Sequence, residues 1–283
     1  MIRALALGTT ALTLLAGAAL AQSRTDIVIG MQLEPPHLDP TSAAAQAIDE
    51  VLYANVYEGL TRFEESGAIV PALAESWEIS DDGLTYTFTL REGVTFHDGS
   101  SFEASDVVFS LDRARAEDST NAQKQLYSGI ASVEAPDDQT VVLTLSAPNG
   151  NMLFNLAWGD AVIVAPENAE DLTTNAVGTG PFTVAEWRQG DSIELARNDA
   201  YWGDAPVLES ATFKFVSDPT AAFAAMMAGD IDAFPGYPAP ETLVQFEADP
   251  RFRVITGSTE GETILSTNNQ EGPLADVRVR RAI

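Results

Sequence analysis

A chain of 283 residues, 45% hydrophobic and 20% charged, has material for a large core and for more than one ordinary domain. Its 42 Asp and Glu against 15 Lys and Arg give a formal net charge of −27, which repels nucleic-acid phosphates and anionic lipid headgroups. Cysteine is absent, so disulfides are excluded and an exported form of the chain must rely on core size for stability.

The chain opens with a single charge at Arg3, an apolar run over residues 4–20, and Ala19-Leu20-Ala21. A charged start, a short apolar middle and an A-x-A end predict a secretory signal peptide over residues 1–21, cleaved after Ala21. The competing reading is a membrane anchor, for which the run is only marginally long. No cysteine stands at the cleavage point, which closes the lipoprotein route. Residues 26–31 then read as a buried strand, and the three prolines of residues 34–40 force an extended path. Apolar residues at helical spacing predict a helix over 42–60, with Ser42 as its N-cap. Residues 84–90 alternate apolar with Thr, the pattern of a half-buried strand, after an Asp81-Asp82-Gly83 turn. A helix capped by Ser105 is expected over 105–115, and a second alternating strand over 140–145. Residues 151–158 are a short apolar segment of open type.

Strands follow at 180–187 and 192–196, joined by Gln189-Gly190-Asp191, and again at 211–216. A helix over 220–228 ends at Gly229, and residues 231–234 return to strand. Residues 241–248 read as helix, 252–256 and 263–267 as extended. Strands joined by hairpins and by helical crossovers imply a mixed α/β architecture. The chain stops on Ile283 in what reads as a starting helix, without cap or polar tail, and is expected to be a truncated form of a longer one.

The pattern offers little for catalytic or metal chemistry. His37 and His97 are far apart in different elements, and no H-E-x-x-H, cysteine cluster or Glu/His ligand pair predicts a metal site. There is no G-x-S-x-G elbow. Gly178-Thr179-Gly180 leads into a strand and lacks the third glycine and the helix of a dinucleotide loop. Acidic pairs such as Glu64-Glu65 and Asp137-Asp138 lie in turns and read as solvated. The expectation is a protein that is no enzyme and needs no cofactor or metal.

Four segments together carry a resemblance. They are residues 82–112, from the alternating strand through Phe96-His97-Asp98-Gly99 into the following helix; residues 177–203, containing Val177-Gly178-Thr179-Gly180-Pro181-Phe182 and Tyr201-Trp202-Gly203; residues 218–232; and residues 268–283. In order and spacing the chain resembles the bacterial family 5 extracellular solute-binding proteins, the dipeptide-, oligopeptide- and nickel-binding components of ABC importers. The motif residues themselves read as structural: strand, turn and core packing.

The resemblance implies a two-lobed periplasmic-binding-protein (clamshell) fold with mixed sheets and the ligand enclosed between the lobes. Residues 22–45 and 176–270 would form a discontinuous lobe I and residues 46–175 an inserted subdomain. Residues 271–283 would begin a lobe II that is largely missing. It further implies a periplasmic monomer that takes a peptide or other small molecule and hands it to an ABC permease in the inner membrane. Nickel-chelate, opine, glutathione and oligosaccharide ligands stay open within the family, and a secreted hydrolase is the alternative from another class. The implied contacts come from lobe I. Glu34, Pro35 and His37 lie in the extended segment bordering the ligand, where free backbone could pair with a peptide. Tyr237 sits in a cleft-facing loop, Trp158 and Asp160 in the insert's apolar segment, and Ser266 just before the hinge, where some peptide-binding relatives carry an acid.

Overall fold

The computed structural model describes residues 24–43, 45–257 and 266–282. The expected signal peptide and residues 263–265 of the expected last strand lie outside them; Ser266 and Thr267, described, carry no regular structure. The chain divides into two compact units, one ending at Ala239 and one beginning at Pro240.

In chain order the first unit contains β1 (Asp26–Met31), α1 (Gln46–Leu52), β2 (Thr61–Phe63), β3 (Ile69–Pro71), β4 (Ala74–Ile79), β5 (Thr85–Leu90) and α2 (Ala104–Arg115). It continues through β6 (Ile130–Asp137), β7 (Thr140–Leu145), α3 (Met152–Asn155), β8 (Phe182–Arg188), β9 (Ser192–Arg197), β10 (Ser210–Phe215) and α4 (Pro219–Ala228). One sheet has the order β1-β10-β9-β8, another β4-β5-β7-β6, and β2-β3 is a separate hairpin. The first sheet is mixed: β1 runs parallel to β10, with Asp26 opposite Ser210, whereas β10-β9 and β9-β8 are antiparallel. The second is antiparallel throughout. The mixed α/β architecture expected from the sequence is the one observed.

Two cores follow from the sheets. In β5 the alternation buries Tyr86, Phe88 and Leu90 and turns Thr outward; they pack with Val107 and Leu111 of α2 and with Val141 and Leu143 of β7. The second core joins Ile48, Val51 and Leu52 of α1 to Ile193 and Leu195 of β9 and Phe213 of β10. Each of these side chains is at most 6% exposed, so each contributes on the order of 1.5–3 kcal/mol of burial.

Several elements depart from the sequence expectation. The helix expected over 42–60 is only α1. Its N-cap is Ala45, and Ser42 instead donates its hydroxyl to the Asp39 carbonyl. It stops at Tyr53 because Ala54 takes a positive φ of 58° and the next residues pair elsewhere. Gly180 N donates to the Val56 carbonyl (3.0 Å) and Phe182 N to that of Asn55 (2.9 Å). Long-range pairing outweighs helix propensity here. α2 starts one residue early, capped by Glu103 rather than Ser105, with Glu103 N donating to the Asp106 carboxylate (2.8 Å). The strand expected over 231–234 shrinks to one bridge, Ile29 to Ala233, because Pro235 cannot extend the ladder. Strands β2, β3, β4 and β6 were not anticipated; β4 and β6 are mostly exposed and lack a clean alternation.

In the second unit, residues 241–248 resolve into a 3-10 turn at Pro240–Thr242 followed by α5 (Leu243–Glu247). α6 (Val277–Arg280) is capped by Asp276, whose side chain accepts from Arg278 N. Residues 252–256 form no ladder. Among the described residues, no helix is long and apolar enough to cross a membrane.

Candidate functional site

The residues singled out by sequence fall into two clusters and one outlier. The first cluster begins where β1 ends. Glu34 is not a free carboxylate. Trp187 Nε1 donates to its Oε1 (2.9 Å), and Gly190 N donates to both of its oxygens (3.0 Å each). It thereby ties the segment after β1 to the β8–β9 turn. Pro35 is buried, and His37 is half-buried with Nδ1 accepting from Asp39 N (3.2 Å). Asp39, 2% exposed, accepts from Thr41 and pairs with Arg113 at 3.0 Å. Leu38 N donates to the Thr173 carbonyl (3.0 Å), so this proline-rich stretch is fixed at several points.

Tyr237 belongs to the same neighbourhood. Its ring meets Phe234 edge-on, with centroids 5.6 Å apart, and the Gln32 amide donates to the neighbouring Gly236 carbonyl. The Phe234 ring lies over Gly30 so closely that a Cβ there would collide with it. Leu33, which the sequence reading passed over, is 69% exposed in the middle of this cluster.

The second cluster is held by α1 and α3. Trp158 stands at the entry to a 3-10 turn, Gly159–Ala161, with its ring edge-on to Phe154 at 6.0 Å; Phe154 in turn meets Phe63 at 5.1 Å. Phe154 and Trp158 are 45% and 37% exposed, an uncommon concentration of aromatic surface. The Tyr53 hydroxyl donates to the Ala157 carbonyl (2.6 Å) and pins this turn to the end of α1. Asp160 is 6% exposed, and burial, then the neighbouring Asp49, pushes its pKa up to about 6. Asp49 is half-buried and likewise pushed by burial up to about 6. Its carboxylate rests on Gly159, where a Cβ would collide with it.

The outlier is Ser266, exposed and part of the second unit. Surface depressions lined by Glu64, Glu65 and Ser66, and by Thr41, Arg113, Ala116, Asp118, Ser119 and Thr120, contain none of the candidate residues. Among the described residues, no group of three or more His, Asp or Glu is placed to hold a metal ion.

The motif residues have structural work, and one residue missed by the sequence reading explains much of it. Glu58, 6% exposed, accepts from Thr179 Oγ1, Tyr201 OH and Trp202 Nε1, each at 2.9 Å. Burial raises its pKa while the three donors oppose the shift. Tyr201-Trp202 is therefore more than packing: it helps to solvate a buried carboxylate. Arg91 adds a cation over the Trp202 ring at 4.6 Å. His97 clamps the glycine turn. Gly178 N donates to Nδ1 (3.3 Å), Nε2 bonds the Gly180 carbonyl (3.0 Å), and His97 N donates to the Gly178 carbonyl (2.9 Å). Burial holds its pKa below the usual imidazole value. Gly178 and Gly180 pass so close to the backbone of residues 55–56 that no side chain fits at either.

The candidate contacts thus fall in two clusters of a mixed α/β unit, Trp158 exposed, Glu34 and His37 half-buried, and Pro35 and Asp160 buried. Residues 68–283 match the bacterial extracellular solute-binding proteins, family 5 middle region, and the chain belongs to that family. The glutathione-binding protein GsiB of Pectobacterium atrosepticum is 32% identical, over 91% of this chain and 51% of its own. The dipeptide-binding protein of Escherichia coli is 30% identical, over 94% and 54%. Among solved structures, the binding protein MoaA of A. tumefaciens R10, in complex with mannopinic acid, superposes with a TM-score of 0.81. That match has 31% identity and covers 92% of this chain and 55% of the other. The chain thus spans about half the length of the relatives it matches.

Proposed function

We propose that this chain supplies one face of the ligand site in the periplasmic substrate-binding component of an ABC importer, taking a peptide-class ligand between two lobes and delivering it to the inner-membrane permease. The observation that carries the reading is family membership across most of the chain. Relatives named for glutathione and dipeptide binding, and one solved in complex with mannopinic acid, support a small ligand and leave its identity to experiment. In this reading residues 22–45 and 176–270 form the discontinuous lobe I, residues 46–175 the insert, and residues 271–283 the entry to lobe II. The sheet that pairs β1 with β10, and the all-antiparallel sheet within residues 74–145, support the division. The leader of residues 1–21 directs export, and the protein acts as a monomer without catalysis, metal or cofactor.

Mechanism follows from the two-lobed arrangement. A ligand touching both lobes only in the closed form shifts the open–closed equilibrium by its differential affinity, and the closed form docks on the permease. Lobe I contributes the segment of Glu34, Pro35 and His37, then Tyr237, and Ser266 just before the hinge, while the insert contributes Trp158 and Asp160. Because Glu34 spends its carboxylate on the β8–β9 turn, the segment offers backbone groups and Leu33 to the ligand rather than a charge. Thermal-shift screening of the complete gene product against di- and tripeptides, glutathione, opines, nickel chelates and oligosaccharides tests the reading. A peptide that raises Tm, is recovered unchanged, and binds with micromolar or tighter Kd is expected. Turnover of any compound, or stabilisation by a non-peptide class alone, refutes the peptide assignment.

A further inference from the structure

The second cluster contains an arrangement that packing alone does not require. The Asp49 carboxylate lies against Gly159, whose lack of a side chain admits it, next in sequence to Asp160 and near enough to raise that residue's pKa. Among the described residues neither carboxylate has a basic partner; no ion pair includes either one. Two neighbouring acids without a counter-charge are costly in a chain of this size. A third group points the same way. Tyr127 is fully buried, its hydroxyl has no hydrogen-bond partner, and it lies within electrostatic reach of Asp160 and then Asp49. Buried hydroxyls ordinarily find partners. Beside these groups stand the exposed rings of Phe154 and Trp158, surfaces that attract cations through their faces. Asp49 is half-buried, so the pair opens to solvent on its side.

We propose that Asp49 and Asp160, with the Tyr127 hydroxyl and the rings of Phe154 and Trp158, form a subsite for a positively charged organic group of the ligand, a primary ammonium such as a lysine side chain. The ammonium supplies the missing counter-charge, donates hydrogen bonds to the carboxylates, and rests its methylene stem on the aromatic pair, with the buried Tyr127 hydroxyl within electrostatic reach of both acids. Burial raises both pKa values to about 6 in the empty site, and the bound cation opposes that shift, so occupancy is expected to lower both. The inference rests on the solute-binding reading and narrows it to cation-bearing ligands.

The test uses the complete gene product and two peptides matched in length, Ala-Lys-Ala and Ala-norleucine-Ala, by calorimetry at pH 7.5. The lysine peptide is expected to bind at least tenfold more tightly, and that ratio to fall toward one in Asp160→Asn and in Asp49→Asn. Trp158→Ala, a change at an exposed ring, lowers the ratio severalfold and serves should an aspartate variant not fold. A ratio of one in the unaltered protein overturns the subsite, as does a ratio kept by all three variants or an equal loss for both peptides. If neither peptide binds, the peptide reading fails, and the subsite is judged with 1,5-diaminopentane alone. A rise in Tm that the aspartate variants lose supports it. No rise, or a rise produced only by calcium chloride, overturns it.

Discussion

Replacing Glu58 by alanine and by glutamine separates two roles of that residue. Alanine removes the acceptor of three donors at once: Thr179 Oγ1, Tyr201 OH and Trp202 Nε1. Thr179 is 0% exposed and cannot recruit water, so its orphaned hydroxyl costs about 1–3 kcal/mol. Tyr201 and Trp202 are half-buried, and partial rehydration roughly halves their share. The cavity left by the deleted side chain adds about 1 kcal/mol, and relief from burying a carboxylate whose pKa is already raised returns a similar amount. Glu58→Ala should therefore destabilise by about 2–6 kcal/mol, about 3 or more being the expected reading. Glutamine keeps one carbonyl oxygen where Thr179 and Trp202 donate, and its amide faces a tyrosine hydroxyl that can turn and accept. Glu58→Gln should stay within about 1 kcal/mol of the unaltered protein. Equilibrium urea unfolding at pH 7.5, followed by tryptophan fluorescence and far-UV circular dichroism, reads both. With a slope of about 3 kcal/mol per molar, alanine lowers the midpoint by about 1 M and glutamine by at most a third of that. An alanine variant indistinguishable from the unaltered protein, or a glutamine variant as damaged as alanine, refutes the reasoning.

Gly178→Ala places a methyl against the Val56 carbonyl and the Tyr57 ring, so the glycine turn and residues 56–57 must separate. Overpacking of this kind costs about 1–3 kcal/mol or more, read as a Tm drop of several degrees, and an unchanged Tm refutes the close approach. His97 makes the protein acid-labile. Its folded pKa lies below the unfolded value of 6.5, so its contribution is fully present above pH 6.5 and is lost as pH falls toward the folded value. Protonation of Nδ1 removes the acceptor of Gly178 N. Tm measured between pH 7.5 and 5.0 should fall more steeply in the unaltered protein than in His97→Gln, and parallel profiles would count against this.

What the sequence made legible was local. The Thr-alternating run of β5 exposes one face and buries the other, so its period alone marks it as a strand. α4 ends where expected because Gly229 adopts φ 81°, a conformation glycine takes without strain. What it concealed was long-range. Glu58 looks like any acid near a helix end; its meaning lies in Thr179, Tyr201 and Trp202, more than a hundred positions away. Asp49 reads as a solvated residue of an amphipathic helix until Gly159 is found against its carboxylate. The family resemblance marks Glu34 as a ligand contact, and the structure gives its carboxylate to the β8–β9 hairpin. The overlong helix of residues 42–60 failed for the same reason, since the partner that unwinds its end arrives at residues 180–182.

The parallel pairing of β1 with β10 also sets an order of assembly. Thr25 meets Glu209 across 184 positions, whereas β4, β5, β6 and β7 find their partners within one short stretch of chain. The antiparallel sheet can collapse as soon as its own residues emerge. The first strand must wait, unpaired and apolar, until nearly two hundred later residues have been synthesised. During that interval Ile27, Val28 and Ile29 offer an open edge to any neighbouring strand, a demand for escort that the finished fold no longer reveals.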